Sequence, residues 1–385
     1  MKVRINVKWE QHKLGDFGNV QMNKRIFKSQ TLDSGDVPFY KIGTFGKKAD
    51  AYISSELYEE YRNKYPYPKD GDLLISASGS IGKIVEYKGQ KAYYQDSNIV
   101  WLDHDNRILN LFLKAFFQIV KWNGTEGSTI KRLYNKNILN TEIILPKIKE
   151  QTAVGKLIEK VDYLITLQQR KLRQLKQLKM VMLQQLFVDK NNQQPNLRFK
   201  KFNGDWELHK LGDVILDYKK KNNNDLLPVL TSSFQGIEYQ EKHFGSKQKH
   251  DTSDYNVLPK EYMTYRNRSD NGYFRFNINK LGITGIVSKF YPVFTTINTN
   301  KQFLASYLNY NPRLKNYFKV VSVGTSQHVL SLKNLKKTNL LFPSKSEQDQ
   351  IGYFFNLLNK IIFLQQNKLT QLTTLKKYLL QKMFI

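Results

Sequence analysis

No cysteine occurs among the 385 residues, which excludes disulfides, thiolate catalysis, iron–sulfur clusters and cysteine-bound zinc together. The six histidines are scattered along the chain, so no metal site is expected. No run approaches the roughly 18 apolar residues of a membrane-spanning helix, and the opening MKVRINVKWEQHKLGD lacks the apolar core of a signal peptide. The expectation is a cytoplasmic protein. Acidic residues are also scarce: 33 Asp and Glu face 61 Lys and Arg, for a net charge of +28. With 40% hydrophobic residues, including 23 Phe and 23 Tyr, the chain can build real cores. A folded, aromatic-rich and strongly basic chain points to a polyanionic partner, either a nucleic acid or a membrane surface.

Catalytic signatures are missing too. There is no H-E-x-x-H, no nucleophile elbow, no G-x-G-x-x-G behind an opening strand and no acidic cluster with metal-ligand spacing. Asp70, Asp72, Asp96 and Asp103 come nearest to an acidic group, and their turn and strand-edge settings give them structural roles.

What is present is a duplication. WEQHKLGD at Trp9 to Asp16 returns as WELHKLGD at Trp206 to Asp213, 197 residues on. The same offset carries Pro146 onto Pro343, Glu150-Gln151 onto Glu347-Gln348, Leu167-Gln168-Gln169 onto Leu364-Gln365-Gln366, and Leu178-Lys179 onto Leu375-Lys376. Each copy reads as a globular stretch followed by a helical one. The predicted division is 1–149 and 206–346 for the globular stretches and 150–187 and 347–385 for the helices. Between them, 188–205 reads as a polar linker.

Short β-type runs such as Asp72 to Ser76 and Glu142 to Leu145 alternate with helical patterns such as Leu109 to Val120, so the class is α+β. Lys219 to Asn224 reads as a mobile loop. The helical stretches carry two heptad series each. The first contains Val154, Val161, Gln168, Leu175 and Met182 with Ile158, Ile165, Leu172, Lys179 and Leu186. The second contains Ile351, Leu358, Gln365, Leu372 and Leu379 with Phe355, Ile362, Leu369, Lys376 and Met383. These seams predict an intramolecular antiparallel coiled coil, the alternatives being a core-packed helix or a homodimer. Gln168 and Gln365 would then lie near mid-length, where a polar seam residue fixes register.

Charge separates the parts. Residues 150–187 carry seven Lys/Arg against three Asp/Glu and residues 347–384 five against two, which leaves +21 outside the helices. Such charge holds phosphate without reading sequence, and base reading needs polar and aromatic side chains on loops. Three stretches have that composition. Ser76 to Lys83 offers Ser78, Ser80 and Lys83 after a strand, without the spacing of a nucleotide-binding P-loop. Thr125 to Tyr134 offers Lys131, Arg132 and Tyr134, and its offset partner offers Ser326, Gln327 and His328. Arg266 and Arg268 add two guanidiniums suited to guanine or phosphate. The competing reading of each is a solvated loop.

The tandem W-E-x-H-K-L-G-D motifs, the run GDLLISASGSIGK from Gly71 to Lys83, the L-P-x-x-x-E-Q and F-P-x-x-x-E-Q helix starts and the endings LQQLF and LQKMF resemble the specificity subunit of type I restriction–modification enzymes. The resemblance covers nearly the whole chain. It implies two target recognition domains, each reading one half of a split double-stranded DNA site, held apart by an antiparallel coiled coil. It also implies methyltransferase subunits docked on the helices and a separate motor–nuclease restriction subunit. S-adenosylmethionine would bind the former and ATP and Mg the latter, with no cofactor on this chain and no active site of its own.

Two departures from the family pattern stand out. The PNLRFKKF that precedes Trp206 has only MKVRINVK as its counterpart, as if the start were truncated. The second copy also has Tyr262-Met263-Thr264-Tyr265-Arg266 in place of the Gly-Asp-Leu-Leu-Ile-Ser run, so contacts do not transfer between copies. Two readings stand against the specificity subunit: a self-sufficient DNA-modifying enzyme, and a non-specific basic nucleic-acid-binding coiled-coil adaptor.

Overall fold

The repeated W-E-x-H-K-L-G-D motif folds the same way twice. Glu10–Lys13 pairs antiparallel with Glu142–Leu145, and Glu207–Lys210 pairs with Asn339–Phe342 in the same register, Glu10 opposite Leu145 and Glu207 opposite Phe342. The leucine that follows each strand is fully buried, and its amide donates to a threonine carbonyl: Leu14 to Thr141 at 3.0 Å and Leu211 to Thr338 at 2.8 Å. The structure is a computed structural model that describes residues 9–122, 132–188, 192–223, 226–246, 251–324 and 327–384. It divides into two compact units, 1–168 with 368–385, and 169–367. Each long helix therefore contributes to both.

In the first unit a four-stranded antiparallel sheet runs in the order Gly18–Gln21, Ile99–His104, Leu73–Ser76, Ile84–Glu86. The second unit has Ile215–Tyr218, Val293–Thr296, Met263–Tyr265, Phe276–Ile278 in the same order. The unlike runs Leu73–Ser76 and Met263–Tyr265 thus occupy one position in a shared frame. The predicted mixed class holds, and the middles diverge in their additions. The first unit adds a three-stranded sheet of Tyr52–Ile53, Val37–Tyr40 and Tyr93–Tyr94, and the second adds separate two-stranded pairs.

The P-x-x-x-E-Q motif fixes where each long helix, Ile148–Gln185 and Lys345–Met383, begins. Gln151 is buried; its amide donates to the carbonyls of Pro146 and Arg107, and its oxygen accepts from the Leu109 amide that starts helix Asn110–Phe116. Gln348 does the same with the Pro343 carbonyl and the Asn300 amide at the head of helix Lys301–Tyr310. One side-chain amide thus satisfies orphan groups at two helix starts.

Within each unit the long helices run antiparallel. In the first unit Ile158 packs against Leu380, and Lys376 bonds Asp162. In the second, Lys179 Nζ donates to Asn359 at 2.6 Å, and Phe187 stacks on Phe355 at 5.9 Å. All twenty seam positions named above are buried or half-buried, Gln365 fully and Gln168 partly. Both seam lysines find partners across the pair, and those partners, Asp162 and Asn359, are themselves 197 residues apart. The linker is tied down where described: the Trp206 amide donates to Gln193, the Leu197 amide to Gln185, and Gln194 bonds Asp205.

Candidate nucleic-acid interface

In each unit three chain segments meet at one residue. The Ala77 amide donates to the Asn98 carbonyl at 2.8 Å, and the Ala77 carbonyl accepts from the Leu133 amide at 2.8 Å. In the second unit the Asn267 amide donates to the Phe290 carbonyl at 3.0 Å, and the Asn267 carbonyl accepts from the Leu330 amide at 2.9 Å. Ala77 and Asn267 each follow the third strand of the sheet, so the two corners are structurally the same place. Each sets an arginine near an aromatic ring, and the rest of the side chains they present differ.

The first corner gathers Ser78, Arg132 and Tyr134 around Ser97-Asn98. Ser78 Oγ donates to Asn98 Oδ1 at 2.7 Å, and an Arg132 guanidinium nitrogen donates to the Ser97 carbonyl at 2.7 Å. The same guanidinium lies 5.9 Å from the ring of Tyr134, which is 43% exposed. Ser97 holds φ at +50°, a left-handed backbone that costs a non-glycine residue about 1 kcal/mol or more and is kept only where its surroundings dictate it. Ser80 is exposed on the same loop, where its carbonyl accepts from Ser76 Oγ. Lys83 points elsewhere: its ammonium bonds the Phe45 carbonyl and lies 5.7 Å from the Phe45 ring.

The second corner brings all of its described residues together. Arg268 and Ser269 pair with Val329 and His328 across a short ladder. The Arg268 guanidinium sits 3.8 Å over the Phe290 ring, Gln327 donates to Asp270 at 3.1 Å, and His328 Nδ1 lies 3.0 Å from Ser322 Oγ. Arg266 is exposed beside them. Lys131 and Ser326 fall outside the described residues.

Sequence reasoning missed Ser97, Asn98, Lys289 and Phe290. They lie on the turns that lead into the second strand of each sheet; Asp96 to Asn98 carries an Asp-Ser-Asn turn signal, and Ser288 and Pro292 bracket the other turn, where Ser288 Oγ accepts from the Phe290 amide at 3.4 Å. Of Lys219 to Asn224, expected to be a mobile loop, the described part is tied by the Asn222 amide donating to the Tyr255 carbonyl and by Lys221 Nζ donating to the Asp254 carbonyl, and Asn224 falls outside the described residues.

Of the aspartates singled out in the sequence, Asp72 and Asp103 have partners within the first unit. Asp72 accepts from the Lys69 amide, and burial pushes its carboxyl above the usual range; Asp103 takes the Lys69 ammonium at 3.1 Å. Among the described residues no group of three or more His, Asp or Glu is placed to hold a metal, and no helix is long and apolar enough to cross a membrane.

The sequence model of the type I restriction modification DNA specificity domain matches this chain twice, over residues 6–177 and 203–374. A putative type I restriction enzyme specificity subunit, S.HindORF215P of Haemophilus influenzae, is 56% identical over 152 residues. That match spans 39% of this chain and 40% of the relative. A crystal structure of a type I restriction-modification S subunit from M. genitalium superimposes over 100% of this chain and 98% of that one, with a TM-score of 0.62 at 16% identity. It bears on the fold.

Proposed function

Because the chain belongs to the type I restriction–modification DNA specificity family, we propose that each corner reads one half of a bipartite, asymmetric DNA site and that the paired helices carry the methyltransferase subunits. The observation that carries the reading is the pair of equivalent corners with unlike side chains. A serine, an arginine and a tyrosine at the Ala77 corner stand where the other unit sets two arginines, a glutamine and a histidine at the Asn267 corner. Different donors and acceptors on one frame are what two different half-sites require. The excess of basic residues supplies affinity that no sequence choice needs.

Scaffolding has its own support. Away from the seam the helices expose apolar side chains that recur at the repeat offset: Leu167 and Leu364, Leu178 and Leu375, Val181 and Tyr378, all between 43% and 56% exposed. Each repeat thus carries one such set, which suits two copies of one partner. Methyl transfer from S-adenosylmethionine would belong to those partners, and ATP- and Mg-dependent cleavage to a motor–nuclease subunit.

The test is methylation mapping with this chain and its methyltransferase partners. A split, asymmetric motif is expected, and exchanging residues 1–149 for those of another specificity subunit should change one half only. A continuous motif, or a change in both halves, refutes the reading. A non-specific adaptor would bind all duplexes alike with salt as the sole control.

A further inference from the structure

The repeat offset places a second basic feature beside both corners. Gly18–Gln21 and Ile215–Tyr218 are the same edge strand of the two sheets, 197 residues apart. Each runs straight into a short segment with three cations and no acid: Met22 to Lys28, holding Lys24, Arg25 and Lys28, and Lys219 to Asn223, which begins with three lysines. All six cations are exposed. Both segments are nevertheless held in place by a buried asparagine. Asn23 donates to the Pro66 carbonyl at 3.3 Å, and Asn222 donates to the Thr252 carbonyl at 3.2 Å.

Each segment is also coupled to its corner through an aspartate. In the first unit Arg25 lies 3.9 Å from Asp96, and the next residue, Ser97, donates its amide to Met22 Sδ. In the second, Lys221 Nζ donates to the Asp254 carbonyl at 2.8 Å while the Asp254 carboxylate takes Lys289 at 3.0 Å. Lys289 precedes Phe290, the ring under Arg268. Two unlike sequences have thus built the same relation, a fixed row of cations continuous with the residues of the corner.

We infer that Met22–Lys28 and Lys219–Asn223 grip the phosphate backbone of the DNA whose bases the adjacent corner reads. The inference rests on the corner reading proposed above. Exposed cations on a pinned backbone, the five lysines as point charges and Arg25 as a planar fork, meet phosphate and set position and affinity while carrying no base choice themselves. Both segments would act on the same duplex, one at each half-site.

The experiment uses the complex with methyltransferase subunits and a duplex bearing its own methylation motif. One variant combines Lys24→Ala, Arg25→Ala and Lys28→Ala; the other combines Lys219→Ala, Lys220→Ala and Lys221→Ala. In each, the slope of log affinity against log salt should fall by about 1 to 3, at about 0.9 for every phosphate no longer neutralised, with the methylated motif unchanged. Arginine replacements of the three lysines at 219–221 should restore the slope. An unaltered slope overturns the grip, and a changed motif shows that these residues read bases instead. Arg268→Ala serves as the separate control. If it relaxes one base of the motif while the triple variants do nothing, the corner stands and the grip falls. If it leaves both motif and affinity intact, the corner reading fails on its own.

Discussion

Phe187 stands edge-on to Trp206, ring centroids 6.3 Å apart, and Phe384 stands edge-on to Trp9 at 6.4 Å. The phenylalanine just beyond each long helix therefore completes the core against the tryptophan that opens the other repeat. Phe187 is buried with Phe303, Tyr307 and Phe355 around it, whereas Phe384 is half-buried against Phe112 and Phe116. Phe187→Ala should cost about 3 to 5 kcal/mol, and Phe384→Ala less. Hydrogen exchange should show the first loss between residues 206 and 342 and the second between 9 and 145. The reverse pattern would disprove the crossed arrangement.

A buried ion pair closes the second helix start. Arg198 reaches Glu347 with two nitrogens, at 2.9 and 2.7 Å, and Glu347 is only 1% exposed. Arg198→Ala leaves a carboxylate buried without its partner and should cost about 3 to 5 kcal/mol. Adding Glu347→Gln should recover part of that loss in chemical denaturation. No recovery would mean that the arginine matters through packing alone.

Both long helices contain a glycine where a short helix comes close. A Cβ on Gly155 would meet the carbonyl carbon and oxygen of Leu111 at 2.9 Å; one on Gly352 would meet the side chain of Asn300, which caps helix Lys301–Tyr310 by accepting from the Phe303 amide. Helix propensity alone favours alanine by about 1 kcal/mol. Gly155→Ala should nevertheless lower the melting temperature, since overpacking against backbone costs about 1 to 3 kcal/mol. A rise would show that the short helix can retreat.

The two seam lysines make an internal comparison. Lys376 meets the carboxylate of Asp162, and Lys179 meets the neutral Asn359 and the Tyr310 hydroxyl. A double-mutant cycle on Lys376 and Asp162 should give a coupling of up to about 1 kcal/mol that shrinks as salt rises, both groups being partly exposed. The cycle on Lys179 and Asn359 should be insensitive to salt. Equal salt dependence in both would contradict the assigned partners.

The repeat and the seam were legible in the sequence because each rests on a period, and a period survives substitution. Glu142 to Leu145 was readable as a strand from its apolar run. The corners were half legible. Ser78 and Arg266 advertise themselves by composition, and the exchange of Leu73 to Ser76 for Met263 to Tyr265 is readable as a change of run, but the way Ser97-Asn98 and Lys289-Phe290 complete each corner is set by partners far along the chain. Lys83 is diverted by Phe45, 38 residues away, for the same reason. The endings LQQLF and LQKMF were visible as motifs, and their meaning lay in tryptophans belonging to the other repeat.

That crossing has a consequence for synthesis. Every residue of the second unit, 169–367, is synthesised before residues 368–384, yet Met383 and Phe384 pack against the core of the first unit. The half of the protein translated first is therefore finished last. A nascent chain holds an unclosed first unit until translation has passed the whole of the second.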